Sequence, residues 1–95
     1  MNWYCLKITA EEAAAGRAGQ VKTAFEAAFA AAQGPRTMAL FRKEEDDGET
    51  LFFTPVCQEH AAELLSGCGA SACPRPSLIG LQLVVGHHEM TYYLP

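Results

Sequence analysis

Positively charged residues are scarce in this sequence of 95 residues. Seven lysines and arginines stand against eleven aspartates and glutamates, which gives a formal net charge of -4 at pH 7. The seven cations are scattered along the chain and form no cluster. Because nonspecific binding to a nucleic-acid backbone needs clustered cations, we expect no nucleic-acid partner.

The sequence also lacks an apolar run long enough to cross a bilayer, which takes about 20 residues in a helix. Met1 is followed at once by a strand-like segment, without the basic start of a secretory signal peptide. We therefore expect a cytoplasmic protein with no membrane partner. In that reducing compartment, the four cysteines are expected to be thiols and not disulfides.

Apolar side chains, in contrast, are abundant. Hydrophobic residues make up 49% of the chain and charged residues 19%, a composition typical of a folded core. A chain of 95 residues has room for one such core. We therefore expect residues 1–95 to form a single domain.

The first predicted element is a strand over residues 3–9. Thr9 and Glu12 then have the spacing of a capping box, which marks the start of a helix. Gly16 and Gly19 argue against one continuous helix from this cap, because each costs about 1 kcal/mol relative to alanine.

A longer helix is predicted from about Gln20. Its apolar residues recur at the spacing of one buried helical stripe, and Gly34 followed by Pro35 is expected to end it. The stripe consists of Val21, Ala24, Phe25, Ala28, Phe29 and Ala32.

Residues 37–43 and 49–54 are predicted to form a hairpin, with Asp47-Gly48 at its turn. Thr54 is then expected to cap a second helix that has Pro55 at its first position and runs to about Ser66.

The rest of the chain is predicted to be a loop followed by one or two strands. Residues 69–77 have the composition of a loop, and residues 78–86 have that of a fourth strand. A fifth, edge strand over residues 88–94 is a further possibility, since apolar residues alternate there as well.

The resulting order of elements is strand, helix, strand, strand, helix, strand. This order resembles the split βαβ, ferredoxin-like arrangement of the α+β class. The resemblance implies a two-layer sandwich with two helices on one face of an antiparallel sheet. Right-handed crossovers would place the first and third strands in the middle of that sheet.

Two helices cover only one face of such a sheet, although its strands are apolar on both faces. We expect the helix face to carry Tyr4, Leu6, Ile8, Met38, Leu40, Leu51, Phe53, Leu81, Leu83 and Val85. The opposite face is then expected to carry Trp3, Cys5, Ala39, Phe41, Phe52 and Val84. A patch of this kind is typical of interfaces and ligand sites. A homodimer that pairs sheet to sheet, or a small apolar ligand, would cover it.

Cys57 is the cysteine with the most specific setting. On the predicted second helix it shares a stripe with Ala61 and Leu64, which favours a small apolar core residue. The alternative is a thiol active site, with Cys57 near the helix N-terminus and His60 one turn later to accept its proton.

Zinc is a weaker interpretation of the same segment. Cys57 and His60 could combine with Cys68 and Cys73 as four ligands, but the tight C-x₂-C spacing of common zinc sites is absent. We therefore expect no metal, and no motif indicates a cofactor.

The sequence thus favours a small, non-enzymatic interaction or ligand-binding module that acts as a homodimer. The alternative is an enzyme. It would use either Cys57 and His60, or an apolar cavity on the open sheet face similar to that of cofactor-free monooxygenases, lined by Trp3, Phe41 and Phe52.

Overall fold

The computed structural model describes residues 2–33, 39–77 and 79–85. The elements in this part of the chain are, in order, β1 (Asn2–Ile8), α1 (Ala10–Ala14), α2 (Arg17–Gln33), β2 (Leu40–Glu44), β3 (Thr50–Val56), α3 (Glu59–Gly67), β4 (Ser71–Cys73) and β5 (Gln82–Val85). The strands form one sheet with the order β4-β1-β3-β2-β5, and every neighbouring pair is antiparallel. The protein is therefore an α+β protein, and the first and third strands lie inside its sheet, as predicted.

Helices α2 and α3 pack on one face of the sheet and form the main core with it. Four residues of the predicted α2 stripe, Val21, Phe25, Ala28 and Phe29, are buried, whereas Ala24 and Ala32 are half-buried. The four buried residues pack with Ala61 and Leu65 of α3 and with strand residues that include Leu6, Ile8, Leu40, Phe52 and Val56. Burial of this apolar surface is what holds the two layers together.

The start of the helical region follows the sequence closely. Glu12 accepts a hydrogen bond from the Thr9 backbone N–H at 2.9 Å, and the Thr9 hydroxyl accepts one from the Glu12 N–H at 3.1 Å. This completes the predicted capping box. Gly16, with φ +86°, then separates α1 from α2, whereas Gly19 lies inside α2.

The β2–β3 hairpin also forms as predicted, and two features of its turn favour glycine at position 48. Gly48 has a φ of +87°, which side chains other than glycine rarely adopt. A Cβ atom at this position would also lie only 3.0 Å from the Cβ of Ala10. The hairpin tip is therefore close to the start of α1.

The predicted start of the second helix is wrong. Thr54 and Pro55 belong to β3, and α3 begins at Glu59 with Gln58 as its N-cap. The Thr54 side chain is buried, and its hydroxyl donates a 2.7 Å hydrogen bond to the Ala39 carbonyl, so that it caps no helix. Pro55, which has no backbone N–H, is tolerated in β3 because the pairing with β2 ends at Phe53.

The predicted fourth strand is shorter than expected. Gln82–Val85 form β5, which pairs with β2, and the Arg42 Nε donates to the Gln82 Oε1 at 2.9 Å across this pair. The predicted loop contributes Ser71–Cys73 as β4, which pairs with β1 at the other edge. A segment as short as β4 gives no periodic signal in the sequence. The possible strand over residues 88–94 lies outside the described residues.

Candidate functional site

The face of the sheet opposite the helices carries a second, smaller core. Trp3, Ala39 and Phe41 are buried there, with 5%, 0% and 8% of their surfaces exposed, and Cys73, Phe53 and Leu81 pack against them. We call this group the Trp3 cluster. Its burial means that part of this face is covered by the chain itself.

Part of this cover comes from Leu81, in the connection between β4 and β5. These strands lie at opposite edges of the sheet, and residues 74–77 and 79–81 of the connection are described. Leu81, at the end of this connection, packs against Trp3 and its neighbours. The connection therefore reaches the face opposite the helices, where the sequence pattern left the aromatic residues uncovered.

Two residues assigned by sequence to the open face lie on the helix side instead. Phe52 is directly opposite Leu6 in the β1–β3 ladder, and directly opposite residues share a face. Both pack in the main core, whereas the next residue, Phe53, packs in the Trp3 cluster. Val84 also packs against the main core, as alternation predicts for the residue that follows Leu83, whose partner Phe41 is on the other face.

Trp3, Cys5 and Phe41 lie on the predicted face. Trp3 and Phe41 belong to the Trp3 cluster. Cys5 is directly opposite Phe53, a member of the cluster, and is therefore on the same face. Leu83, directly opposite Phe41, is on this face as well and not on the predicted helix face.

Two large apolar side chains in the described part of the chain are exposed. Ile79 is 86% exposed and Leu83 is 48% exposed. Leu83 is opposite Phe41 in β5, and Ile79 lies two residues before Leu81. We call these two residues the Ile79–Leu83 surface.

Cys57 is not the core residue that its helical spacing predicted. It lies between β3 and α3 and is exposed, because β3 continues to Val56 and α3 begins only at Glu59. It lines a cleft of about 450 Å³ together with Asn2, Tyr4, Val56, Gln58, Glu59 and Ala62. The Gln58 side chain makes no capping hydrogen bond at the α3 N-terminus in this cleft.

His60 is on the exposed surface of α3. Its side chain is 62% exposed, and its Nδ1 atom lies 3.7 Å from a Glu63 carboxylate oxygen. His60 is not among the residues that line the Cys57 cleft. Cys57 therefore lines the cleft, whereas His60 lies beside Glu63.

The four candidate zinc ligands are not brought together. Cys57 is exposed beside α3, Cys68 is half-buried at the end of that helix, and Cys73 is in β4. Among residues 2–33, 39–77 and 79–85, no three His, Cys, Asp or Glu side chains are grouped so that they could hold a metal ion.

Cys73 has a different neighbour, Cys5 of β1. Burial, a hydrogen bond with the Cys5 thiol and the charge of that group together raise the pKa of Cys73 from 9.0 to about 12. Both side chains are half-buried and both thiols are free. The sequence could not reveal this pair, because the strand that brings Cys73 to β1 was not predicted.

A charged group lies at the β2–β3 hairpin. The Lys7 Nζ is 3.0 Å from a Glu49 carboxylate oxygen, and this contact raises the pKa of Lys7. Lys7 and Glu49 line a shallow cleft together with Glu45, Asp46 and Asp47. Lys7 is exposed and Glu49 is half-buried, so this surface ion pair contributes little to the stability of the fold.

The chain matches no protein-family model, no curated protein and no solved structure. In the part of the chain that the structure describes, no helix has both the length and the apolar composition that a membrane crossing requires.

Proposed function

We propose that this protein is a small, non-enzymatic interaction module that acts as a homodimer in the cytoplasm. The observation that carries the proposal is the exposure of two large apolar side chains four residues apart, Ile79 at 86% and Leu83 at 48%. An exposed isoleucine and leucine at one surface favour contact with another protein.

A symmetric dimer would use the Ile79–Leu83 surface twice. In a two-fold interface the same patch from each subunit faces its copy, so two residues contribute four buried side chains. Fully burying a leucine or isoleucine is worth about 1.5–3 kcal/mol. This surface is a better contact than Trp3 and Phe41, which are already buried within one chain.

Light scattering over a range of concentrations tests this proposal. We expect a dimer for the natural protein and a monomer for Ile79→Lys and Leu83→Lys, because a charge at the contact has to be desolvated. Ala31→Lys is the matched control, since Ala31 is exposed on α2, on the opposite face of the sheet. A natural protein that stays monomeric at tens of micromolar contradicts the proposal.

A small apolar ligand could cover this face in place of a second subunit. It would have to enter between the connection and the buried rings of Trp3 and Phe41, since these rings lie beneath Leu81. Mass spectrometry of the natively purified protein distinguishes this case. A bound molecule that is lost in Leu81→Trp, together with a monomeric protein, would favour the ligand over the dimer.

The cytoplasmic assignment is supported by the cysteines. All four are free thiols, which suits a reducing compartment. Fractionation of cells that produce a tagged protein would test the assignment directly.

The enzymatic alternative is supported by one observation, the exposure of Cys57 in its cleft. A thiol enzyme needs an accessible sulfur, and Cys57 meets this condition. Labelling with iodoacetamide against pH is the first test. A reaction rate that still depends on a thiol pKa near neutrality would favour catalysis, whereas a rate like that of free cysteine would not.

We also propose that the fold is ferredoxin-like. Support comes from the order β4-β1-β3-β2, in which each of two strand–helix–strand units skips one strand of the sheet. Strand β5 is then an addition at the β2 edge. Cross-strand nuclear Overhauser contacts between Trp3 and Cys73, and between Leu40 and Val85, would test both edges.

A further inference from the structure

Cys5 and Cys73 lie on two neighbouring strands and on one face of the sheet. In the β1–β4 ladder Cys5 is opposite Ser71, and Cys73 is opposite Trp3. The two cysteines are therefore diagonal neighbours, two positions apart. Alternation places both on the face of the Trp3 cluster, where Cys73 packs against the cluster and Cys5 is opposite its member Phe53.

Strand β4 is a short strand at the edge of the sheet. It is three residues long and is paired with β1. Cys73 is its last residue, and the connection that leads to Leu81 in the Trp3 cluster begins at the next residue. A covalent bond at Cys73 would therefore fix both the edge strand and the start of the cover.

We propose that Cys5 and Cys73 form a reversible disulfide, closed by a low-molecular-weight disulfide such as oxidised glutathione. The bond joins β4 to β1 and fixes the start of the connection over the Trp3 cluster. This site goes beyond the proposed dimer, because it lies within one chain and does not need a second copy.

The reaction balances as two thiol–disulfide exchanges. The Cys5 thiolate attacks one sulfur of oxidised glutathione and forms a mixed disulfide, which releases one glutathione thiolate. Cys73 then loses its proton to solvent, and its sulfur attacks the Cys5 sulfur and releases the second glutathione thiolate. Two electrons pass from the protein to glutathione, which is reduced to two thiols.

Reversibility follows from the geometry of the ladder. The Cα atoms of diagonal neighbours are roughly 7–8 Å apart, whereas those of a relaxed disulfide are about 4.4–6.8 Å apart. Closure therefore needs a shift of about 1 Å in β4, which an edge strand can make more easily than a central one. Strain of this kind makes a disulfide easier to reduce, as expected of a regulatory bond.

Oxidation of the native protein tests the proposal. The protein is incubated with mixtures of reduced and oxidised glutathione, trapped with acid and digested for mass spectrometry. We expect a peptide that links Cys5 to Cys73, the loss of two thiols and no retained glutathione. Cys68→Ser should leave this product unchanged, since Cys68 is half-buried like Cys5 but lies at the end of α3.

A second variant tests the pair without changing either cysteine of the proposed bond. The double variant Cys57→Ser/Cys68→Ser retains only Cys5 and Cys73, and it should lose both thiols on oxidation. Hydrogen exchange of the β4 amides should then slow and recover after reduction. Stable glutathione adducts, unreacted thiols at every mixture, or a predominant link between other cysteines would each overturn the proposal.

Discussion

The rings of Trp3 and Phe41 pack with their centroids 6.1 Å apart and their planes inclined by 43°. Both are buried on the face opposite the helices, and Leu81 packs against the cluster that they form. The chain thus covers these aromatic residues itself. Ile79 and Leu83, in contrast, are exposed.

The two phenylalanines of β3 should differ in their contributions to stability. Phe52 is 1% exposed in the main core, so Phe52→Ala should lower the free energy of unfolding by about 3–5 kcal/mol. Phe53 is half-buried in the Trp3 cluster, and Phe53→Ala should cost less. Urea denaturation measures both losses. Equal losses, or a larger one for Phe53→Ala, would show that the faces are assigned incorrectly.

Strand β3 also shows the limit of prediction from alternation. The existence of the strand and of its hairpin was clear from residues 49–54 and from Asp47-Gly48. The sequence did not show which side chains of β3 face the helices, because Leu51, Phe52 and Phe53 are consecutive and apolar. Only the pairing of Phe52 with Leu6 decides which ring lies under the helices. The stripe of α2 was less ambiguous, because its large residues Val21, Phe25 and Phe29 are spaced four apart among alanines and polar residues.

Thr54→Val should destabilise the protein through a single lost hydrogen bond. The Thr54 hydroxyl is buried and donates to the Ala39 carbonyl at 2.7 Å. Valine has a similar shape but no donor, so we expect a loss of about 1–3 kcal/mol. Thr23→Val is the matched control, because Thr23 donates to the Gly19 carbonyl at the surface and should change stability by no more than about 0.5 kcal/mol. Equal effects in urea denaturation would contradict this role of Thr54.

The same residue explains why the Cys57 site was predicted incorrectly. Thr54 followed by Pro55 is a typical helix start, and this start would have placed Cys57 in the first turn. Long-range pairing with β1 outweighs that local signal and extends β3 to Val56. Cys57 is consequently exposed, and His60 lies beside Glu63. The partner strand β4 was also missed, and with it the Cys5–Cys73 pair.

The capping box should make stability depend on pH through Glu12. The hydrogen bonds from the backbone and side chain of Thr9 lower the pKa of Glu12. Its stabilising effect is therefore present above the unfolded pKa, about 4.3, and is lost as the pH falls through the lower folded value. Glu12→Gln retains an acceptor for the cap but does not titrate. Between pH 6 and pH 3 it should lose less stability than the natural protein, whereas parallel losses in urea denaturation would exclude this role.

Cys73 should make the protein less stable as the pH rises into the alkaline range. Burial is the main cause that raises its pKa from 9.0 to about 12. The stabilisation is complete below the unfolded value and is lost as the pH rises from about 9.0 towards 12. Under reducing conditions, the natural protein should therefore lose more stability than Cys73→Ala between pH 9 and pH 11. A Cys73→Ala protein with the same alkaline loss would contradict the assignment.

The most direct test of the account is the fluorescence of Trp3, the single tryptophan of the chain. It is measured with acrylamide quenching, in protein so dilute that sedimentation finds only monomer. We predict the blue-shifted emission and weak quenching of a buried indole, with stronger quenching in Leu81→Ser. Emission and quenching like those of tryptophan in water would contradict the claim that the chain covers this face by itself.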